Sequence, residues 1–162
     1  MSVISTTQRE ATLRQWAKKS SDNEEARRDR TEREVRAAFS NSTRLAGVPL
    51  EIYFNTKGDR MYVTTAKPGQ LHIFDTTKPG QPKLLKSIAT AEGAHHVAFT
   101  KDWRYAYVQN ALLNLPGMSD GSVTVVDLKT ESVIGSMDTL KKAGFNPNSM
   151  VLLPQWNHPA GH

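Results

Sequence analysis

The 162 residues contain no cysteine. That excludes a disulfide framework, a thiolate metal site and a cysteine nucleophile. Apolar runs are short: none approaches the ~20 residues that a membrane-spanning helix needs. The opening Met-Ser-Val-Ile-Ser-Thr-Thr-Gln-Arg-Glu lacks the apolar core of a secretory leader. The chain as written is therefore expected to be soluble and cytoplasmic, with no membrane partner. No complete set of catalytic side chains appears, so no catalytic residue, metal ligand or cofactor is assigned.

Charge of one sign is also scarce. The net charge is +5, from 21 Lys and Arg against 16 Asp and Glu. Residues 1–46 hold ten basic and seven acidic side chains, and the remainder eleven and nine. The bases alternate with acids, as on a solvated helix, so the basic footprint alone gives no expectation of nucleic-acid binding.

What the chain does hold is a stretch that occurs twice. The first copy is Phe54-Asn-Thr-Lys-Gly-Asp-Arg-Met-Tyr-Val63, followed by Gly69-Gln-Leu-His-Ile-Phe-Asp75. The second is Phe99-Thr-Lys-Asp-Trp-Arg-Tyr-Ala-Tyr-Val108, followed by Gly121-Ser-Val-Thr-Val-Val-Asp127. Self-similarity at such a period marks an array of repeats. From Ile52 onward, β-branched and aromatic residues alternate with polar ones between Gly, Pro, Asn and Asp breaks. Strands are expected over 60–64, 70–74, 83–88, 96–99, 104–108, 122–126 and 132–137. Residues 148–153 look like the first strand of a third unit. Each unit is then a four-stranded antiparallel meander of the kind that forms a propeller blade.

Residues 6–46 are polar and helical in character. Thr6 or Thr7 can cap a first helix with Leu13 and Trp16 on its apolar face. Ser20-Ser21-Asp22-Asn23 suggests a break and a second start. The second helix would run to about Phe39, with Ala26, Val35, Ala38 and Phe39 as a thin apolar side. So little apolar surface implies a larger body to pack against.

Two resemblances follow. Arg60-Met-Tyr-Val-Thr-Thr65 with residues 69–75, and Arg104-Tyr-Ala-Tyr-Val-Gln-Asn110 with residues 121–130, resemble the YVTN-type repeats of bacterial β-propellers. That family is often periplasmic or surface-exposed. The stretch from Leu13 to Ala38, followed by Arg44-Leu-Ala-Gly-Val-Pro-Leu50, resembles the amino-terminal helix of CD-NTase cyclic-oligonucleotide synthases of bacterial antiphage signalling. Their Gly-Ser motif and paired metal-binding acids are missing here. The expected division is a helical nucleotidyltransferase-like segment over 1–50 and partial propeller repeats over 51–162. The expected fold class is mostly β, with about two blades and the start of a third. Closed propellers carry four to eight blades, so two blades leave open edges. The chain is then a fragment, or assembles from copies, or uses its helical segment as a cover.

Among candidate sites, His95-His96 lies at the start of an inner strand, where propellers place channel-side ligands. Adjacent strand residues point to opposite faces, which argues against both reaching one ion. His158 and His162 belong to an irregular tail, and His72 alternates as a solvent-side strand residue. Asp75 and Asp127 suit turn formation. Trp103, Tyr105 and Tyr107 suit blade-to-blade packing, and the Arg27–Arg36 region suits helix-stabilising pairs. The preferred contact element is the insertion over 111–120, with Leu112, Leu113, Leu115 and Met118. The expected function is a non-enzymatic interaction module that meets a protein partner or a second copy through open blade edges. A fusion or fragment with no activity of its own, and a synthase remnant without its catalytic acids, remain open as alternatives.

Overall fold

The computed structural model describes residues 6–42, 45 and 47–152, without the side chains of 6–13, 16, 41 and 42. One helix, α1 (Thr6–Ser42), precedes eight strands. The expected break at residues 20–23 does not occur. Ser, Asp and Asn cost only tenths of a kcal/mol each within a helix, and no Gly or Pro interrupts residues 6–42. The Ser21 hydroxyl instead bonds back to the Lys18 carbonyl at 3.1 Å. Ion pairs Arg28–Glu32 at 3.5 Å and Arg30–Glu34 at 3.2 Å lie along the exposed side. Leu13 and Trp16 have side chains outside the described set.

The strands form two antiparallel meanders. The first blade is β1 (Pro49–Phe54), β2 (Arg60–Ala66), β3 (Gly69–Asp75) and β4 (Lys83–Ala89). The second is β5 (Ala94–Phe99), β6 (Tyr105–Asn110), β7 (Val123–Asp127) and β8 (Ser132–Met137). All seven expected strands are present. Residues 148–152, by contrast, form no strand. A blade's first strand is completed by hydrogen bonds to its second, and no such partner lies beside them among the described residues. A short helix, α2 (Thr139–Lys142), follows β8.

The first blade is covered on both faces. Tyr53, Tyr62, Leu71, Ile73 and Ile88 pack against Ala94, Val97, Phe99, Ala106, Val108 and Val126 of the second blade. Trp103 joins them, stacked on Tyr62 at 5.6 Å. The opposite face presents Phe54, Met61, Val63 and Phe74 to Val35 and Phe39 of α1. Phe39 meets Phe74 edge-on at 5.3 Å. Arg36 donates to the Ile52 carbonyl at 3.3 Å and lies over the Phe54 ring. Among the described side chains, this apolar patch near its end holds the polar helix.

Double coverage also explains His72, which is buried rather than on a solvent side. Alternation marks solvent only when one face of a sheet is wet. Its Nε2 lies 3.1 Å from Thr65 Oγ1, and its Nδ1 lies 2.8 Å from Ser87 Oγ. The Thr65 hydroxyl donates to the Pro68 carbonyl at 2.9 Å, so the ring must donate from Nε2 and accept at Nδ1. Burial holds this imidazole below its ordinary 6.5. Below that pH the unfolded chain takes up a proton that the folded chain resists, so stability is full above about 6.5 and falls on acidification. Urea unfolding at a series of pH values is expected to show that loss, with a shallower slope in His72→Gln. An equal slope in both proteins would refute this role.

Candidate functional site

The strongest cluster of chemically capable side chains among the described residues lies where β1 and the start of β5 meet between the two sheets. It contains His95 and His96 from β5 and Glu51 from β1, whose ligand atoms all fall within 4.8 Å of one another. The alternation argument fails at this point because the β5–β6 register shifts between Ala94 and Val97. A bulge places an extra residue and re-aims its side chain. The two rings consequently sit 4.1 Å apart, centroid to centroid. The β1–β2 register shifts at the equivalent place, between Pro49 and Ile52. Counting back from Phe54 and Phe99 makes Glu51 the repeat counterpart of His96, so equivalent positions on neighbouring blades converge here.

Backbone anchors fix this convergence. The buried Thr64 hydroxyl donates to the His95 carbonyl at 2.9 Å and accepts from the Glu51 amide at 3.3 Å. The Val97 amide, freed by the bulge, donates to the Tyr53 hydroxyl at 3.0 Å. Burial pushes the Tyr53 phenol up to about 12, with the Val97 amide opposing and the Glu51 charge adding. Tyr53 thus stays protonated and neutral. His95 Nε2 lies 3.4 Å from Glu51 Oε1, with the imidazole 14% and the carboxylate 32% exposed. His95 Nδ1 is buried with no hydrogen-bond partner. Burial pushes His95 down, His96 adds to that, and Glu51 pulls it back in part. The net direction favours a neutral imidazole with a lone pair to offer.

The insertion over 111–120 is a compact, internally bonded loop. The Leu112 amide donates to the Met118 carbonyl at 2.8 Å, and the Met118 amide to the Leu115 carbonyl at 3.0 Å. Leu112 is buried and turned away from any partner, Met118 is half-buried, and Leu113 and Leu115 are exposed. The loop backbone joins the turn that leads into the histidine strand, because the Asp120 amide donates to the Glu92 carbonyl at 3.1 Å. Nothing described brings the Leu113 or Leu115 side chain to the histidines. The loop instead meets the segment after α2: the Leu113 amide donates to Asn148 Oδ1 at 3.2 Å, and Asn146 donates to Asn114.

The remaining expectations fall into place as structure. Asp75 accepts from the Thr77 amide and hydroxyl at 2.8 and 2.7 Å. Asp127 accepts from the Lys129 amide at 2.8 Å and from Arg104 at 2.6 Å. His158 and His162 lie outside the described residues.

The second blade's outer face differs from its counterpart. Tyr62, Ile73 and Ile88 of the first blade lie beneath the second. Their equivalents by register are Tyr107 opposite Val125, and Met137 opposite Val123. Ile88 is 5% exposed, whereas Met137 is 46% exposed. Sequence reasoning missed this surface, and it also missed Glu51.

No family model matches the sequence, and no curated protein matches it. Among solved structures, the chain is similar to Kuenenia stuttgartiensis hydrazine synthase at 17% identity, over 62% of this chain and 25% of that one, with a TM-score of 0.49. It is also similar to the dihydro-heme d1 dehydrogenase NirN in complex with DHE, at 18% identity, over 56% of this chain and 17% of that one, with a TM-score of 0.44. The chain spans a quarter or less of either protein's length.

Proposed function

We propose that the chain is a non-enzymatic interaction module that pairs with a second copy through the outer face of its second blade. One observation carries this reading. The row Tyr107, Val125 and Met137 repeats a row that the first blade buries, yet Tyr107 and Val125 are only half-buried and Met137 is 46% exposed, the segment after α2 reaching this face at Gln109, which donates to the Pro147 carbonyl. Contiguous apolar surface of this kind marks a contact site.

The other end of the stack decides the symmetry. Head-to-tail rings or fibres need the first blade's outer face bare, and α1 occupies it. What remains is an isologous contact of open face on open face, which closes at two copies. Light scattering is expected to give twice the 18.0 kDa chain mass, and Met137→Lys is expected to return the chain to a monomer with its sheet content intact. A wild-type chain that stays at 18.0 kDa at high concentration would overturn the reading.

A further inference from the structure

We infer that Glu51, His95 and His96 bind one divalent transition-metal ion of the zinc, nickel or copper class where β1 and the start of β5 meet between the blades. The site does not depend on the pairing proposed above, since its three ligands come from one chain.

The donor set is the first argument. Two imidazole nitrogens and a carboxylate oxygen suit borderline transition ions. Magnesium and calcium, by contrast, prefer all-oxygen shells. Geometry is the second. The 3.4 Å between His95 Nε2 and Glu51 Oε1 is long for a charge-assisted hydrogen bond. It matches the ligand-to-ligand edge of about 3.4 Å that a tetrahedral ion with bonds of about 2.1 Å requires. All three ligand atoms lie within 4.8 Å, so small rotations of the His96 ring and the Glu51 carboxylate complete a three-point face.

Pre-organisation is the third argument. Bulges at equivalent places in both inner strands turn the side chains toward one another. Thr64 ties the backbone of Glu51 to that of His95, and Tyr53 OH satisfies the amide that the His bulge releases. Two blades are thus locked around three donors. Three protein ligands leave at least one position for water or a small anion.

The test is a zinc titration of the full chain against a competing chelator, with cobalt as a spectroscopic probe. One equivalent should bind, and excess magnesium should not displace it. Removing an outer-shell partner of a metal typically costs 10–100-fold in affinity, so His95→Ala with His96→Ala should cost about a hundredfold or more. His158→Ala with His162→Ala should leave the affinity unchanged. Because the double β5 variant could lose its fold, a second measurement uses the wild-type chain. Cobalt should broaden the ring resonances of His95 and His96 and spare those of His72. Absence of a saturable single equivalent, or broadening confined to the tail histidines, would overturn the inference.

Discussion

Val35→Asp combined with Phe39→Asp is expected to strip α1 from the first blade and convert a well-behaved protein into one that aggregates. These two side chains are the helix's fully buried contribution to the cluster that holds Phe54, Met61, Val63 and Phe74. Burying one such side chain stabilises by about 1.5–3 kcal/mol, so the pair accounts for roughly 3–6 kcal/mol. A domain of ordinary stability has 5–15 kcal/mol in total. Among the described residues, a carboxylate placed against Phe74 finds no free cation on the neighbouring turn of α1. Arg36 is engaged with the Ile52 carbonyl and the Phe54 ring. The uncovered face would then be an apolar sheet surface of the kind that recruits other chains. Thermal unfolding should show a large loss of stability, and a hydrophobic dye should bind the variant and not the parent. The helix itself should persist in part, because its exposed length relies on propensity and on Arg28–Glu32 and Arg30–Glu34 pairing. An unchanged melting curve without dye binding would show that α1 is not a cover.

The contrast between that covered face and the open one shows what was legible beforehand. The duplicated motif located every strand from β2 to β8, because period-two alternation and turn residues are local signals. The single helix was misread as two: Ser20, Ser21 and Asp22 are capping residues that a helix interior tolerates. His72 was misplaced for a different reason. Its alternation was real, but whether a sheet face is wet depends on neighbours that a local pattern does not contain. Leu112 belongs to the same class, since the fold of the insertion decides which of its leucines turn inward.

The histidine site was half visible. His95-His96 stood out as a dipeptide, and strand alternation then argued against it. A bulge defeats that argument without leaving a mark in the residue count. Glu51 is invisible from the dipeptide's side, lying 44 residues earlier on another blade. One available signal was its repeat position, since Glu51 is the counterpart of His96. In a radial array, inner-strand starts converge on the axis, so equivalent positions are neighbours there even though they are far apart at the rim.

Gly93→Ala is expected to be severely destabilising for the addition of a single methyl group. Gly93 has φ +92, and a Cβ there would stand 2.1 Å from the Met118 carbonyl oxygen and 2.5 Å from its carbon. Both obstacles are backbone, so no side-chain rotation relieves them. The left-handed conformation costs an alanine about 1–2 kcal/mol, and forced backbone displacement adds about 1–3 kcal/mol. Roughly 2–5 kcal/mol is therefore at stake, a large fraction of a domain's total. Damage should spread in two directions from this point. The Gly93 amide donates to the Ala66 carbonyl at 2.8 Å, and Glu92 accepts from Asp120 at 3.1 Å. A displaced residue 93 thus loosens the first blade's contact and the insertion loop together, and shifts the strand that carries His95. Hydrogen exchange should reveal faster opening at the Leu112, Met118 and Asp120 amides, along with a lower melting temperature. Gly80→Ala supplies the control, because nothing lies within 4 Å of its added carbon. It should change stability by no more than about 0.5 kcal/mol, as surface substitutions usually do. Equal behaviour of the two variants would mean that the close approach of Gly93 to Met118 does not exist in solution.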